Sequence, residues 1–355
     1  MRAETRSFAS RVLLVAGVAT AVLATIALVW YAGNTLLTVF AGLLLAVGLG
    51  GLADWVASRT GLRRGMALAI VVVTLLAVMA AGGWAIGATA ATEIRELIAT
   101  LPEAIEHFKS TVGETTVGRF VLDRLPDSSA ATNETAKKAP WLALTLTLDV
   151  ITGLALMAFI ALFVAADPDL YARGVVRLLP QSRRRRVREV MGEVDSRMRR
   201  WLLGKLVTMV VIAGVTWAGL AFIGVPMALA LGMLAGLFNF IPYVGPLVAF
   251  VPAILLALMQ GGLGIVGAVA ALWIGVQTLE GYILTPLIDQ KAVDVPPALQ
   301  LSALAVAGAT MGTMGIVFGA PLTAVIFVLV QRLYVEDALG DDIDAAMDDR
   351  PVRAA

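Results

Sequence analysis

The sequence predicts an all-α polytopic membrane protein with about eight transmembrane helices, including broken or re-entrant helices in its C-terminal half. Hydrophobic residues make up 59% of the 355 residues and charged residues only 15%, whereas a soluble domain carries about 25% charged residues. From Leu206 to Leu279 the chain runs 74 residues without Asp, Glu, Lys or Arg. Because a membrane crossing needs ~20 apolar residues, this run has room for about three crossings.

Four apolar stretches in the first half predict spans at residues 12–31, 36–53, 66–92 and 141–166. Gly33 and Asn34 predict a tight turn between the first two spans. The arginines near the N-terminus and the apolar stretch after them together resemble a signal peptide. The stretch is too long for a cleaved signal, however, and more spans follow it. We therefore expect an uncleaved signal-anchor.

The second half predicts spans at 206–223, 227–259 and 263–284, of which the second is broken. The uncharged run from Val295 to Gln331 is too long for one simple helix and predicts a re-entrant piece followed by an eighth span. The resulting regions are a three-helix membrane region (1–92), an extracytoplasmic amphipathic segment (93–140), a fourth transmembrane helix (141–166), a basic cytoplasmic amphipathic segment (167–205), a transport region with broken helices (206–335) and an acidic cytoplasmic tail (336–355).

The distribution of Lys and Arg predicts the orientation. The N-terminus and the predicted connections after spans two and four hold 17 of the 27 basic residues, whereas the 93–139 segment holds six against eight acidic residues. The positive-inside rule places the basic segments in the cytoplasm. We therefore expect a multi-pass protein of the bacterial inner membrane with both termini cytoplasmic.

Two segments outside the spans are amphipathic. The outer segment has apolar residues spaced by four and three, which predicts a helix that packs either between protomers of a homo-oligomer or on its own protomer; these are Ile94, Ile98, Leu101, Ile105, Phe108 and Val112. The inner segment has an apolar face at 187–202 and a run of four arginines, Arg183, Arg184, Arg185 and Arg186. It predicts an interfacial helix on anionic lipid, and the absence of a nucleic-acid motif disfavours nucleic-acid binding.

Composition also narrows the chemistry. The chain has no cysteine and one histidine, His107, which excludes disulfides, thiolate metal sites and multi-histidine zinc sites. It has no P-loop that would bind ATP. We expect no catalytic residues, no metal and no cofactor.

Residues 239–246 predict a break within the membrane. Pro242 and Pro246 each remove a backbone donor, and Gly245 adds flexibility between them. Broken helices of this kind bind cargo in many transporters. Asn239 and Tyr243 lie in the break as candidates for capping, packing or cargo contact. Two further polar candidates at the end of span seven, Gln277 and the ionisable Glu280, lie about one helical turn apart.

Ordered motifs make the chain resemble the AI-2E family of transporters, which includes autoinducer-2 exporters and PerM-type permeases. The motifs lie at 178–180 (Leu-Leu-Pro), 201–205 (Trp-Leu-Leu-Gly-Lys), 224–226 (Gly-Val-Pro), 237–246 (Leu-Phe-Asn-Phe-Ile-Pro-Tyr-Val-Gly-Pro) and 280–286 (Glu-Gly-Tyr-Ile-Leu-Thr-Pro), and at Gly312, Gly315 and Ala320-Pro321. The resemblance covers about residues 10–335. It implies an oligomeric transporter with two broken-helix regions, and it adds Pro286, Gly312 and Gly315 to the candidate binding or gating residues.

An internal similarity of the chain is independent of the family resemblance. Residues 225–235 align without gaps on residues 295–305, with seven of eleven positions identical. We expect from this two related hairpins that run in the same sense, with the cargo path between their breaks.

These features predict a secondary transporter that exports a small polar solute or a signalling molecule of the autoinducer-2 type. A sodium–proton antiporter is the alternative, since Glu280 would serve as its buried carboxylate. A membrane-organising protein without transport activity is the alternative from another class. The expected partners are a small-molecule substrate, anionic lipids on the cytoplasmic side and further copies of the chain.

Overall fold

The computed structural model describes residues 2–113, 134–261, 263–286 and 295–340. For residues 2–30 and 134–149 it describes a helical backbone, and Thr20 is the one residue of these two ranges whose burial is described. The described part is helical almost throughout, which confirms the all-α prediction. Its helices are α1 (Arg2–Thr60), α2 (Arg64–Gly113), α3 (Glu134–Ala166), α4 (Pro168–Arg177), α5 (Arg184–Ile223), α6 (Ala228–Phe238), α7 (Val244–Gly261), α8 (Leu263–Leu279) and α9 (Pro297–Leu329). π-Helical turns follow α8 (Glu280–Leu284) and α9 (Val330–Leu339). The acidic tail beyond residue 340 lies outside the described residues.

Within the described residues, five helices, α9 among them, pass as membrane spans by length and composition alone, and a sixth forms if α3 and α4 count as one bent span. The predicted turn at Gly33 and Asn34 is wrong, because α1 continues through both residues. The pair contains no proline, and one glycine in a long apolar helix costs only ~1 kcal/mol relative to alanine. Two predicted spans are therefore one helix.

Small residues bring α1, α2 and α3 together. Ala46 and Ala53 of α1 are buried against Ala161 and Ala165 of α3 and against apolar residues of α2. Helices within lipid associate through close backbone approach, which small side chains permit. At the end of this bundle Asp54 binds Arg64 and Arg199. We call this side of the molecule, where Arg59 of α1, Arg64 of α2 and the arginines of α5 lie, the basic end.

Helices α6 and α7 form a hairpin, the first hairpin, and not the single broken crossing that was predicted for 227–259. The side chain of Gln260 at the end of α7 donates to the carbonyl oxygen of Gly224 before α6, at 2.6 Å. The hairpin therefore starts and ends on the side opposite the basic end. Its tip lies at residues 239–243, where Phe240 packs edge-to-face on Trp201 with 5.9 Å between ring centroids.

Helix α9 is a second hairpin, because Gly312 has the non-helical dihedrals φ 62° and ψ −144°. Its two legs pack against each other where Gly308 meets Ile316 and where Gly319 meets Leu304. A Cβ atom at Gly315 would overlap the carbonyl oxygen of Ala307, so only glycine permits this approach. The expected re-entrant piece in this run is confirmed, but the eighth span predicted after it is wrong for the described residues, because both legs of α9 belong to the hairpin.

The two hairpins enter from opposite sides. The second starts near Val295, which packs with Met198 and Leu202 at the basic end, and returns there, since Arg332 just after α9 binds Glu193 of α5 at 2.9 Å. Its break lies at the other side, where Met311 contacts Gly33.

The leading helices of the two hairpins are also antiparallel. Helix α5 runs away from the basic end, whereas α8 runs toward it and brings Glu280 next to Lys205 near the start of the apolar part of α5. The repeat at 225–235 and 295–305 thus begins two hairpins of opposite sense, and the expectation of the same sense is wrong. Such an arrangement is an inverted repeat.

The basic segment and the fifth span form one 40-residue helix, α5, about 60 Å long at 1.5 Å per residue. The apolar face at 187–202 packs on α1 and α9 through buried Met198 and Leu202. The prediction that this face rests on lipid is therefore wrong. Its start is bound to the π-helix after α9, because Arg186 pairs with Glu336 at 2.6 Å and with Asp337 at 3.0 Å.

The outer amphipathic stretch continues α2 and packs partly on its own protomer. Leu97 is buried in a cluster with Leu220 of α5 and Leu231 of α6. Ile98 and Ile105 are exposed, and residues 114–133 lie outside the described part.

Glu93 of α2 anchors the first hairpin. Its carboxylate accepts a hydrogen bond of 2.9 Å from the backbone N–H of Ala230 in the first turn of α6. The first N–H groups of a helix have no partner within the helix, and negative charge at this end is favourable. Glu93 therefore stabilises the start of the hairpin from outside it.

We predict that Glu93→Ala lowers the free energy of unfolding by about 1 kcal/mol, the typical cost of losing a helix N-terminal cap. Equilibrium unfolding in mixed micelles measures the change. Glu96→Ala is the matched control, since Glu96 is exposed on the next turn of the same helix. Equal losses in the two variants would contradict a capping role.

Candidate functional site

The tip of the first hairpin satisfies its backbone by local turns. The N–H groups of Asn239, Phe240 and Ile241 donate to carbonyl oxygens three or four residues earlier, at 2.9–3.2 Å. Gly245 N–H donates to the carbonyl of Ile241 at 3.0 Å. The hydrogen bond described for the Asn239 side chain goes to Glu280 and not to these carbonyls, so the structure does not support the predicted alternative role of capping carbonyls freed by proline.

Two residues give the tip its sharp reversal. Tyr243 has φ 64°, a left-handed conformation that costs a non-glycine residue roughly 1–2 kcal/mol. A Cβ atom at Gly245 would overlap the carbonyl oxygen of Phe238. The predicted break at Pro242–Pro246 is thus a close turn that brings the two helices of the hairpin into contact.

Asn239 connects the tip to a charged pair. Its side chain is 1% exposed, and its Nδ2 donates to Oε1 of Glu280 at 2.7 Å. The same carboxylate oxygen lies 3.7 Å from Nζ of Lys205. The Lys205 and Glu280 side chains are only 15% and 18% exposed. Three helical elements therefore meet at one carboxylate: α5, the first hairpin and the π-turn after α8.

This pairing follows from the cost of charge in an apolar medium. An isolated buried charge is expensive, so buried charges are paired and hydrogen-bonded. Glu280 begins a five-residue π-helical turn, and such turns within α-helices occur frequently at functional sites. The Asn239 amide adds a charge-assisted hydrogen bond from an uncharged donor, which fixes the orientation of the carboxylate.

A cavity of about 40 Å³ lies beside this group between α5, the first hairpin and α8. Its lining is mostly apolar, and the polar residues on it are Thr216, Asn239, Trp273 and Gln277. Within the described residues, Oδ1 of Asn239 and Nε1 of Trp273 are buried without a hydrogen-bond partner. Both residues line the cavity, but these two atoms have no surface open to it, so a polar guest would pair with them only after the side chains or the hairpin move.

The cavity is small. At roughly 10–15 Å³ for each water-sized probe, it accepts a few small polar atoms, whereas drug-sized ligands occupy about 300–1,000 Å³. Trp273 is held by stacking on Phe250, with 4.8 Å between ring centroids. A larger solute therefore enters only if the hairpin separates from α5 or α8.

The structure brings together some of the predicted site residues and separates others. Asn239, Pro246 and Gln277 line the cavity, and Glu280 binds Asn239. Tyr243 is half exposed at the tip beside partly buried Pro242, and Gly245 is buried. Gly312 and Gly315 belong to the second hairpin, and Pro286 is exposed beyond the π-turn.

The four consecutive arginines at 183–186 also differ in their surroundings. Arg184 donates to the carbonyl oxygens of Arg177 and Leu179, and Arg186 binds the π-helix after α9, whereas Arg183 and Arg185 are exposed.

Sequence reasoning missed Lys205 as a site residue. A signal for it was present, since Lys205 is the last charged residue before the uncharged run and Glu280 is the first after it. Opposite charges at the two ends of a 74-residue apolar run, on helices that run in opposite directions, are well placed to pair.

A known protein family matches the chain over all of the residues of this site. The family model described as AI-2E family transporter matches residues 20–334. The chain is 27% identical over 346 residues to "Putative transport protein MT0215" of Mycobacterium tuberculosis, covering 92% of this chain and 91% of that protein.

Other relatives match over a shorter part. The chain is 30% identical over 185 residues to "Putative transport protein YrrI" of Bacillus subtilis, covering 52% of each protein. It is 25% identical over 180 residues to "Putative permease PerM" of Escherichia coli K12, covering 50% of this chain and 51% of that protein. The match thus spans about half the length of these two relatives.

We predict that Lys205→Met and Glu280→Gln are not additive in stability. Removing one partner of a fully buried pair costs about 3–5 kcal/mol, and we expect less here because both side chains are partly exposed. Lys205→Met alone leaves Glu280 charged without its cation, so the double variant should recover most of that loss. A double-mutant cycle by unfolding in mixed micelles measures the coupling.

The matched control replaces Lys205→Met by Arg200→Met, since Arg200 is exposed on the same helix. Its effect should add to that of Glu280→Gln. Additive losses in the Lys205 cycle would show that the two charges do not interact.

Proposed function

We propose that this chain, which belongs to the AI-2E family of transporters, is a secondary transporter that exports a small polar solute or signalling molecule of the autoinducer-2 type. The observation that carries the proposal is the polar group of Asn239, Glu280 and Lys205 beside a cavity at the tip of a re-entrant hairpin. Ionisable groups within membrane segments are rare and are commonly part of a transport pathway.

The geometry supports cargo contact at Asn239. Its Nδ2 donates to Glu280, whereas its Oδ1 and the Nε1 of Trp273, a residue of the same cavity wall, are buried without partners. A solute with hydroxyl or amide groups would pair with these atoms once movement of the hairpin exposes them, because such groups donate and accept. Its binding also ends the penalty of two unpaired buried polar atoms.

Sodium–proton exchange is the second candidate, because Glu280 is a carboxylate within the candidate membrane-spanning part. The structure gives a reason to rank it lower. Lys205 already neutralises Glu280, so a sodium ion bound at this carboxylate would have to displace an ammonium group. Ion dependence of transport in the Glu280→Gln variant separates the two candidates.

We place the protein in the bacterial inner membrane, with the basic end in the cytoplasm by the positive-inside rule. The π-helix after α9 binds the basic end, which supports a cytoplasmic C-terminus. The arginines at positions 2, 6 and 11 favour the same side for the N-terminus by the same rule. The unbroken α1 favours the opposite side, because it ends at the basic end and Gly33 already lies on the other side, so the side of the N-terminus rests on labelling.

We also propose that the protein is a homo-oligomer. On α2, Leu97 and Ala104 are buried within the protomer, whereas Ile98 is 68% exposed and Ile105 is 37% exposed. The exposed pair continues the apolar stripe beyond the face that the protomer itself covers. A second protomer would remove it from water.

The first prediction here concerns transport. Asn239→Leu replaces the amide by an apolar side chain of similar size. Loss of a hydrogen bond to a buried polar partner costs ~1–3 kcal/mol, which is roughly a 5- to 150-fold loss of affinity for the solute. Efflux from proteoliposomes should fall, measured with autoinducer-2 and a panel of small polar solutes under a sodium and pH screen. Glu280→Gln should keep cargo binding and lose any ion dependence.

Thr278→Val is the control, since Thr278 is exposed on α8 and bonds only its own helix at the Ile274 carbonyl. It should transport normally. Full, ion-dependent transport by both Asn239→Leu and Glu280→Gln would move the site elsewhere, most directly to the break at Gly312.

The topology prediction uses single cysteines, which report cleanly because the native chain has none. Ser110→Cys on the outer end of α2 should react with an impermeant maleimide in intact cells. Ser182→Cys at the basic end and Ser10→Cys near the N-terminus should react only after permeabilisation. Labelling of Ser182→Cys from outside would reverse the orientation, and labelling of Ser10→Cys from outside would move the N-terminus alone.

The assembly prediction concerns the exposed pair on α2. Ile98→Asp with Ile105→Asp should shift the protein toward smaller species in native mass spectrometry, because charge is costly in an apolar interface. Ile70→Asp with Val78→Asp, on the exposed face of the membrane part of α2, is the comparison pair. An unchanged oligomer with the folded Ile98 and Ile105 variant would exclude this surface from the interface.

A further inference from the structure

Helix α4 is a short exposed helix that leaves the end of α3 almost at a right angle. The bend between residues 150–166 of α3 and α4 is 89°, and Asp167 between them caps α4 by accepting from the N–H of Leu170 at 3.0 Å. Pro168 then occupies the first helical position, where proline is favourable. The sharp bend is thus built into the sequence.

The two faces of α4 have different surroundings. Val176 is 2% exposed and packs toward the protein, where α4 contacts α5. On the opposite face, Leu170 and Val175 of α4 and the cap residue Leu178 have exposures of 56%, 52% and 86%. An exposed apolar face of this kind on an otherwise anchored helix indicates a second partner.

Arginines border this apolar face. At 100° per residue, Arg173 and Arg177 lie beside the line of Leu170 and Leu178, and both are exposed. The end of α4 is joined to α5 by Arg184, which donates to the carbonyls of Arg177 and Leu179. Arg184 also lines a groove with Arg185 and Arg188. Apolar and cationic groups thus occur together, the combination that binds anionic lipid surfaces.

We propose that α4 lies in the surface of the bilayer, with Leu170, Val175 and Leu178 inserted below the headgroups and the arginines bound to anionic phospholipid headgroups. The apolar part of α3 ends at Ala166, two residues before α4 begins, so α4 starts at the membrane boundary. A right-angle turn from a helix that crosses the membrane keeps α4 parallel to the surface. This assigns the lipid contact to α4 rather than to the 187–202 face, which is buried in the protein.

Charge complementarity favours lipid over a protein partner. Each arginine near an anionic surface strengthens binding about fivefold, and Arg173 and Arg177 on α4 outnumber its one acidic residue, Asp169, which lies on the opposite side. A long cationic side chain next to an apolar face can also extend its charged group to the headgroups. The proposal is independent of the transported solute.

The test uses the full chain in vesicles, with a single cysteine labelled by an environment-sensitive fluorophore. Leu178→Cys and Val175→Cys place the label on the apolar face, and Asp169→Cys places it on the opposite side of the same helix. In vesicles with phosphatidylglycerol we expect spin-labelled lipid to quench the labels at 175 and 178, with little quenching by aqueous iodide. The label at 169 should show the reverse.

Two results would overturn the proposal. Equal iodide quenching at 169, 175 and 178 would show that α4 stays in water. Protection of 175 and 178 from both quenchers would show that protein covers the face, with a second copy identified by energy transfer between labelled protomers.

A second arm tests the charge requirement. Arg173→Gln with Arg177→Gln should weaken docking about 25-fold, at roughly fivefold for each arginine, so the lipid quenching at 178 should require more phosphatidylglycerol. Arg95→Gln, on the exposed outer part of α2, is the control with one cation removed elsewhere. Quenching that does not depend on the phosphatidylglycerol content, in the native chain and in the variant alike, would overturn the role of anionic headgroups.

Discussion

A backbone that turns inside a membrane must satisfy its own polar groups, because lipid provides neither donors nor acceptors. Both hairpins of this protein bring their legs into close contact, and the first meets the constraint by hydrogen bonds within its turn. At the first tip the N–H groups bond within the turn, and at the hairpin entrance Glu93 and Gln260 supply side-chain partners from neighbouring elements. The site exists because the turn uses its backbone groups locally and leaves the Asn239 side chain available for Glu280.

The charged groups near the apolar run are also paired within the protein. Lys205 and Glu280 are the charged residues at the two ends of the long apolar run, and antiparallel helices bring them to 3.7 Å. The pair connects the spanning helices α5 and α8, and Asn239 adds the hairpin to it. A polar guest in the neighbouring cavity would touch the residue that joins all three elements. The position of the first hairpin and the ion pair at its tip are therefore physically linked.

The sequence was sufficient for those features that local chemistry decides. Hydropathy predicted the membrane class, Pro242 to Pro246 predicted a break, and the glycines near Gly312 predicted a re-entrant segment. The features that depend on where distant residues meet were not predictable in this way. Nothing local showed that 227–259 returns to its starting side, since Gln260 and Gly224 meet only after folding. The amphipathic face at 187–202 likewise fits lipid or protein equally well until its neighbours are known.

Gly245 and Gly315 have a consequence for how this protein is studied by alanine scanning. At each position even a methyl group would overlap a carbonyl oxygen of the facing helix. The mildest replacement in common use is therefore a wedge that forces two helices apart. An inactive Gly245→Ala protein would report the distance between the legs of a hairpin, and it would say nothing about contact with the cargo. Only side chains that can shrink without moving the backbone, such as Asn239, are informative about binding.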